Sequence, residues 1–139
     1  MSVQVGASCL EKERGGMGIL LGGVPGVRAA KVVILGGGVS GTNAARMAMG
    51  VEAYVTVADK SLRRLYEIDL QFGSRLHTLF ATMENIEREV VSADLVIGAV
   101  LVPGAAAPKL VGRELVKRMR PGSVLVDIEI GRASCRERV

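Results

Sequence analysis

Residues 31–41 read KVVILGGGVSG, and the fold follows from how this stretch divides. Lys31 to Leu35 is a short, continuous run centred on Val32, Val33 and Ile34. That is the composition of a strand buried on both faces of a parallel sheet. The glycines that follow are spaced Gly36-x-Gly38-x-x-Gly41, and TNAARMAMG after them is a small-residue helix ending at Gly50. Strand, glycine turn and helix in this order form the phosphate-binding arrangement of dinucleotide-binding domains. Gly36 permits the tight turn, Gly38 lets backbone approach a pyrophosphate, and Gly41 lets the helix lie close to the strand. The pyrophosphate is expected on the amides around Val39 and Ser40, where the helix dipole favours negative charge.

Asp59 extends the motif. It ends a second strand, AYVTVAD, about 20 residues beyond the glycines, where a carboxylate accepts hydrogen bonds from the adenosine ribose. A carboxylate there repels a ribose 2′-phosphate, which favours NAD over NADP. Capping of the next helix is the plainer role for Asp59, and the spacing favours cofactor contact.

The alternation continues along the chain. SLRRLYEIDLQF places Leu62, Leu65, Ile68 and Phe72 on one helical stripe. HTLFAT reads as a third strand, Thr82 caps a helix MENIEREVV, and DLVIGAV is a fourth strand. KLVGRELVKRM is a helix, and PGSVLVDI supplies a turn and a fifth strand. Before all of these, Ser2 to Glu13 has helical spacing with a Gly15-Gly16 stop, and GILLGGVPGVRAA is an irregular connector. The expected fold is α/β, a Rossmann-type doubly wound parallel sheet with right-handed crossovers.

Composition excludes several classes. At 139 residues the chain is one domain at most, and 49% hydrophobic with 23% charged residues is ordinary for a globular domain. Tyr54, Tyr66, Phe72 and Phe80 are the only aromatics, so there are few rings on which single-stranded nucleic acid could stack. The net charge of +4 is scattered, which argues against a nucleic-acid partner. No apolar run reaches the roughly 20 residues of a membrane span. The start lacks the order of a signal peptide, and Cys9 and Cys135 have no metal-ligand spacing. The expectation is a cytoplasmic protein with free thiols and no metal.

Three further places were weighed. Gly98 to Gly104, at the end of the fourth strand, could wall a flat ring or be an ordinary loop. His77, the only histidine, has no acidic partner in sequence and reads better as structural than catalytic. Asp127 ends the fifth strand on the ligand edge, where cofactor contact and simple solvation are equally expected.

GGVPGV, VILGGGVSGTNAARMA, DLVIGAVLVPGAAAPKL and PGSVLVDI together resemble the NAD-binding domain of bacterial alanine dehydrogenases, over about residues 2 to 128. The stretch AVLVPGAAAPKL separates this resemblance from the related transhydrogenase alpha subunit, the alternative assignment. A non-catalytic nucleotide-sensing module is a second alternative. The same glycines could serve a methyltransferase, but the Gly98–Leu110 loop offers no logic for one. The resemblance implies reversible oxidative deamination of L-alanine to pyruvate and ammonia, with hydride transfer to NAD, in a homo-oligomeric enzyme. Carried over by position, it implies pyrophosphate contact at Val39 and Ser40, ribose contact at Asp59 and a basic residue near the adenosine at Arg64. It further implies that Val100 and Leu101 line the cofactor pocket. A serine contact of the family falls on Ala81, next to Thr82.

The catalytic set departs from the family. Its substrate-binding arginine and lysine and its catalytic histidine belong to another domain, and its catalytic aspartate falls at Gly131. No catalytic residue is therefore assigned, and the chain by itself is expected to be inactive. Residues 1–14 are expected to be the remnant of an interdomain helix and 15–128 an NAD(H)-binding domain that stops after the fifth strand and leaves its edge exposed. Residues 129–139, ending in GRASCRERV, resemble the in-frame translation of a sequencing adapter and are expected to be a non-native tail.

Overall fold

The computed structural model describes residues 1–99 and 111–128 in full and residues 136–138 by their backbone. The elements run α1 (Ser2–Cys9), β1 (Lys31–Leu35), α2 (Val39–Gly50), β2 (Tyr54–Asp59), α3 (Leu62–Phe72) and β3 (His77–Phe80). They continue with α4 (Met83–Ser92), β4 (Leu95–Gly98), α5 (Arg113–Arg118), β5 (Val124–Asp127) and β6 (Arg136–Arg138).

The strand order is β3-β2-β1-β4-β5-β6, and the first five strands are all parallel. This is the doubly wound order with its reversal between β1 and β4. The strands alternate their side chains between two layers. Val32, Ile34, Val55, Val57, Leu95 and Ile97 pack with α1, α2 and Ile68 of α3. Val33, Leu35, Ala58 and Val96 face the other way and pack with Ile86 and Val90 of α4 and Leu115 of α5. Val32, Val33 and Ile34 are fully buried, which is why β1 reads as one unbroken apolar run.

Four local expectations are adjusted. Helix α1 ends at Cys9 and is followed by a short 3-10 turn, Lys12–Arg14, closed by Gly15 in the left-handed region. Leu62 does not join the buried stripe of α3: it is 68% exposed, while Leu65 and Ile68 are buried. Leu62 sits about 90° around the helix from the centre of that stripe, at 100° per residue. Helix α5 begins only at Arg113, because Gly112 is its N-cap. The parallel part of the sheet ends at β5, as expected, but its outer edge is not bare. Backbone of Arg136–Arg138 runs antiparallel along it, with Val124, Leu125 and Val126 opposite Arg138, Glu137 and Arg136. An edge strand presents unpaired amides and carbonyls, and this segment takes them.

Candidate functional site

The parallel ladder runs one residue past each strand at its carboxyl edge. Gly36 N–H donates to Ala58, Ala99 N–H to Leu35, Ala81 N–H to Asp59 and Ile128 N–H to Gly98. The strand ends are thereby held level, and the glycine turn leaves β1 beside Gly98 of β4, at the point where the strand order reverses.

Each glycine of the turn has a distinct environment. Gly36 adopts φ 108°, a conformation that disfavours any side chain. A Cβ on Gly41 would lie 1.8 Å from the Gly36 carbonyl oxygen, so α2 rests directly on the turn. A Cβ on Gly38 would meet nothing within 4 Å, and Gly38 has the ordinary extended angles φ −71°, ψ −162°. Among the described residues nothing therefore requires glycine at position 38. It is also the N-cap of α2, and among the described residues no side chain caps that end. Val39 is 79% exposed and Ser40 is exposed beside it. Among the described residues the start of this twelve-residue helix is therefore exposed and without a side-chain cap.

Gly37, between the motif glycines, is held at both of its polar groups. Its N–H donates to Asp59 Oδ2 at 2.7 Å. Its carbonyl accepts from Arg64 Nε at 2.5 Å and from the Thr42 hydroxyl at 3.2 Å. Arg64 Nη2 donates to Thr42 Oγ1 at 2.9 Å, and Nη1 donates to Glu67 at 2.9 Å. The other Asp59 oxygen accepts from Ser61 N–H at 2.8 Å, while the Ser61 hydroxyl caps α3 through Arg64 N–H. A Cβ on Gly37 would meet Ile68 Cδ1 at 2.8 Å and Asp59 Oδ2 at 3.1 Å, so β2 and α3 press directly on the turn.

Gly36, Gly38, Val39, Ser40, Gly41, Asp59 and Arg64 thus come together at one edge of the sheet. Asp59 binds the start of α3 through Ser61 N–H, the helix-end role expected as its plainer reading, and its other oxygen holds the glycine turn through Gly37 N–H. Arg64 lies on the turn itself. Thr42 is not among the residues that the sequence singles out; its hydroxyl meets the turn only through the placement of α2 against Gly37 and Arg64. Gly98 and Ala99 of the expected wall end β4 at this edge, whereas residues 100–104, including Val100 and Leu101, and Gly131 lie outside the described residues.

The other candidates separate. His77 begins β3 and therefore lies at the opposite, amino edge of the sheet, exposed. Asp127 pairs in register with Gly98, and its Oδ1 is 3.7 Å from where a Gly98 Cβ would stand, which puts it on the ligand edge. Ala81 is buried with no polar side chain to offer, and the Thr82 hydroxyl caps α4 through Asn85 N–H. Among the described residues no cluster of His, Cys, Asp or Glu could hold a metal ion. Nor is any described helix long and apolar enough to cross a membrane.

A five-stranded parallel sheet in this order, with a glycine turn and an acid closing the adjacent strand, is a Rossmann-type dinucleotide-binding domain. Residues 2–139 match the family model "Alanine dehydrogenase/PNT, C-terminal domain", and the chain belongs to that family. It is 56% identical over 137 residues to an alanine dehydrogenase of Halomonas elongata, covering 99% of this chain and 37% of that protein. An alanine dehydrogenase of Methanococcus maripaludis is 56% identical over 130 residues, covering 94% and 35% respectively. Among solved structures, an L-alanine dehydrogenase superposes with TM-score 0.92 at 54% identity, covering 98% of this chain and 38% of that one. A transhydrogenase from Sinorhizobium meliloti gives TM-score 0.72 at 25% identity over 89% of this chain and 36% of that one. The chain thus spans little more than a third of the length of these relatives.

Proposed function

We propose that residues 15–128 form the NAD(H)-binding domain of an alanine dehydrogenase, with residues 1–14 as an interdomain helix. The observation that carries this reading is Gly38. Among the described residues nothing in its conformation or packing needs glycine, yet it is the exposed N-cap of α2, an end that no side chain caps. A glycine at an exposed, uncapped helix N-terminus suits the approach of a pyrophosphate.

Gly38, Val39 and Ser40 hold the pyrophosphate by their backbone, and Asp59 faces the adenosine ribose. Arg64 borders the same end, and Val100 and Leu101 line the pocket. NAD, when bound, supplies a hydride acceptor. The chain's own residues orient it and set its charge preference, because Asp59 disfavours an added 2′-phosphate. The whole-protein reaction is reversible oxidative deamination of L-alanine to pyruvate and ammonia. It is cytoplasmic and carried out by a homo-oligomer, without nucleic acid or membrane as partner. No residue of this chain is assigned a catalytic step. The transhydrogenase alternative is disfavoured by the weaker superposition, TM-score 0.72 against 0.92. The tail 129–139, which the family match also covers, is read as non-native, and genomic DNA encoding GRASCRERV in frame would overturn that assignment.

Calorimetric titration of the chain with NADH and NADPH tests the cofactor reading. NADH is expected to bind more tightly, and Asp59→Ala to erase the difference. Tighter binding of NADPH by the unaltered chain would overturn the role given to Asp59.

A further inference from the structure

We propose that Thr42 and Arg64 act as one positioning unit that sets the Gly37 peptide before cofactor arrives, a role that rests on the NAD reading above. The Gly37 peptide groups govern how Gly38 and the first α2 amides are presented. Gly37 carries no side chain, so nothing of its own holds it in place. Its N–H is committed to Asp59 and its carbonyl to both Arg64 and Thr42.

The bonds close a ring: Arg64 Nε and the Thr42 hydroxyl share one acceptor, and Arg64 Nη2 donates to the same hydroxyl. The hydroxyl has a single proton, which goes to Gly37, and its lone pair receives the guanidinium, so neither residue substitutes for the other. The bonds from Arg64 are charge-assisted and come from a planar group, which fixes direction as well as distance. Glu67 bonds the opposite side of the guanidinium at 2.9 Å and keeps it in this plane. The Arg64 side chain is 34% exposed, so it is partly shielded from water. Arg64 thus contributes to cofactor affinity through the turn, by lowering the ordering cost of binding.

Two measurements test this. In NMR of the unaltered chain, the Arg64 Nε proton is expected to exchange slowly and to show scalar coupling to the Gly37 carbonyl. Absence of that signal in a chain that binds ADP-ribose overturns the unit and leaves the cofactor reading intact. In titrations with ADP-ribose and NADH, Thr42→Val and Arg64→Met are each expected to weaken binding about tenfold, the size of one charge-assisted hydrogen bond. The double variant is expected to lose no more than either single one, because each opens the same ring. Thr42→Ser, which keeps the hydroxyl, is expected to restore affinity. Losses that multiply to about a hundredfold would mean that Arg64 touches the cofactor independently, and would overturn the proposal. An intact Arg64–Gly37 signal in a chain that binds neither ligand overturns the cofactor reading, and this role with it.

Discussion

Position 41 sits on Gly36 so closely that a Cβ there would be 1.8 Å from the Gly36 carbonyl oxygen. The obstacle is backbone, which cannot swing aside. Gly41→Ala is therefore expected to cost about 3 kcal/mol or more, because α2 must lift off β1. Urea unfolding followed by circular dichroism measures it; an unchanged midpoint would show that α2 does not rest on the turn.

Gly38→Ala is the converse substitution. The added methyl meets nothing within 4 Å and the backbone angles suit alanine, so the melting temperature should be unchanged or slightly raised. NADH affinity should nevertheless fall at least tenfold, since the methyl stands where the pyrophosphate approaches. Stability and affinity move apart in one variant, and a Gly38→Ala chain that binds NADH normally would refute the pyrophosphate placement.

At the opposite edge of the sheet, Asp94 is fully buried at the start of β4. Its Oδ2 accepts from Lys31 N–H at 2.8 Å and its Oδ1 from Arg120 at 3.0 Å, with Arg28 3.8 Å away. Asp94→Ala leaves the Lys31 amide without its acceptor and removes the tie to Arg120 ahead of β5, while the backbone bonds between the strands remain. A loss of roughly 2–3 kcal/mol is expected, the arginines being half exposed and able to turn to water. NADH binding at the far edge should stay within a factor of about two. Paired denaturation and titration experiments would detect a coupling between the edges.

Ser123 presents a small stability test. It is fully buried, and its hydroxyl has no hydrogen-bond partner among the described residues. Ser123→Ala should be neutral or stabilising by up to about 1 kcal/mol, because it removes an unsatisfied polar group. A clear loss of stability would reveal a bond to that hydroxyl.

The elements that were legible in sequence are those whose burial is set by pattern alone. The β-branched runs of β1 and β2 announce strands because both faces of the sheet are covered. Leu62 shares helical spacing with three apolar neighbours, yet the centre of the buried stripe lies a quarter-turn away and Leu62 is exposed. The glycine spacing marked the turn, but the bonds that hold Gly37 were not legible. They join α2, β2 and α3 through side chains whose direction depends on the crossing of those elements. Thr42 carries no sequence signature of its own, and Asp94 resembles any strand-leading aspartate until the sheet is assembled.

Gly36, Gly38, Gly41, Thr42, Asp59 and Arg64 all come from the single run β1–α2–β2–α3, between Lys31 and Phe72. This contiguity has a consequence for inheritance. A crossover outside those residues would move the turn, its acid and its braces into another protein as one cassette, with their mutual geometry intact. A breakpoint within β2 would instead join the glycines of one ancestor to the Asp59 and Arg64 positions of another. The Gly37 peptide would then depend on a match that neither lineage had selected.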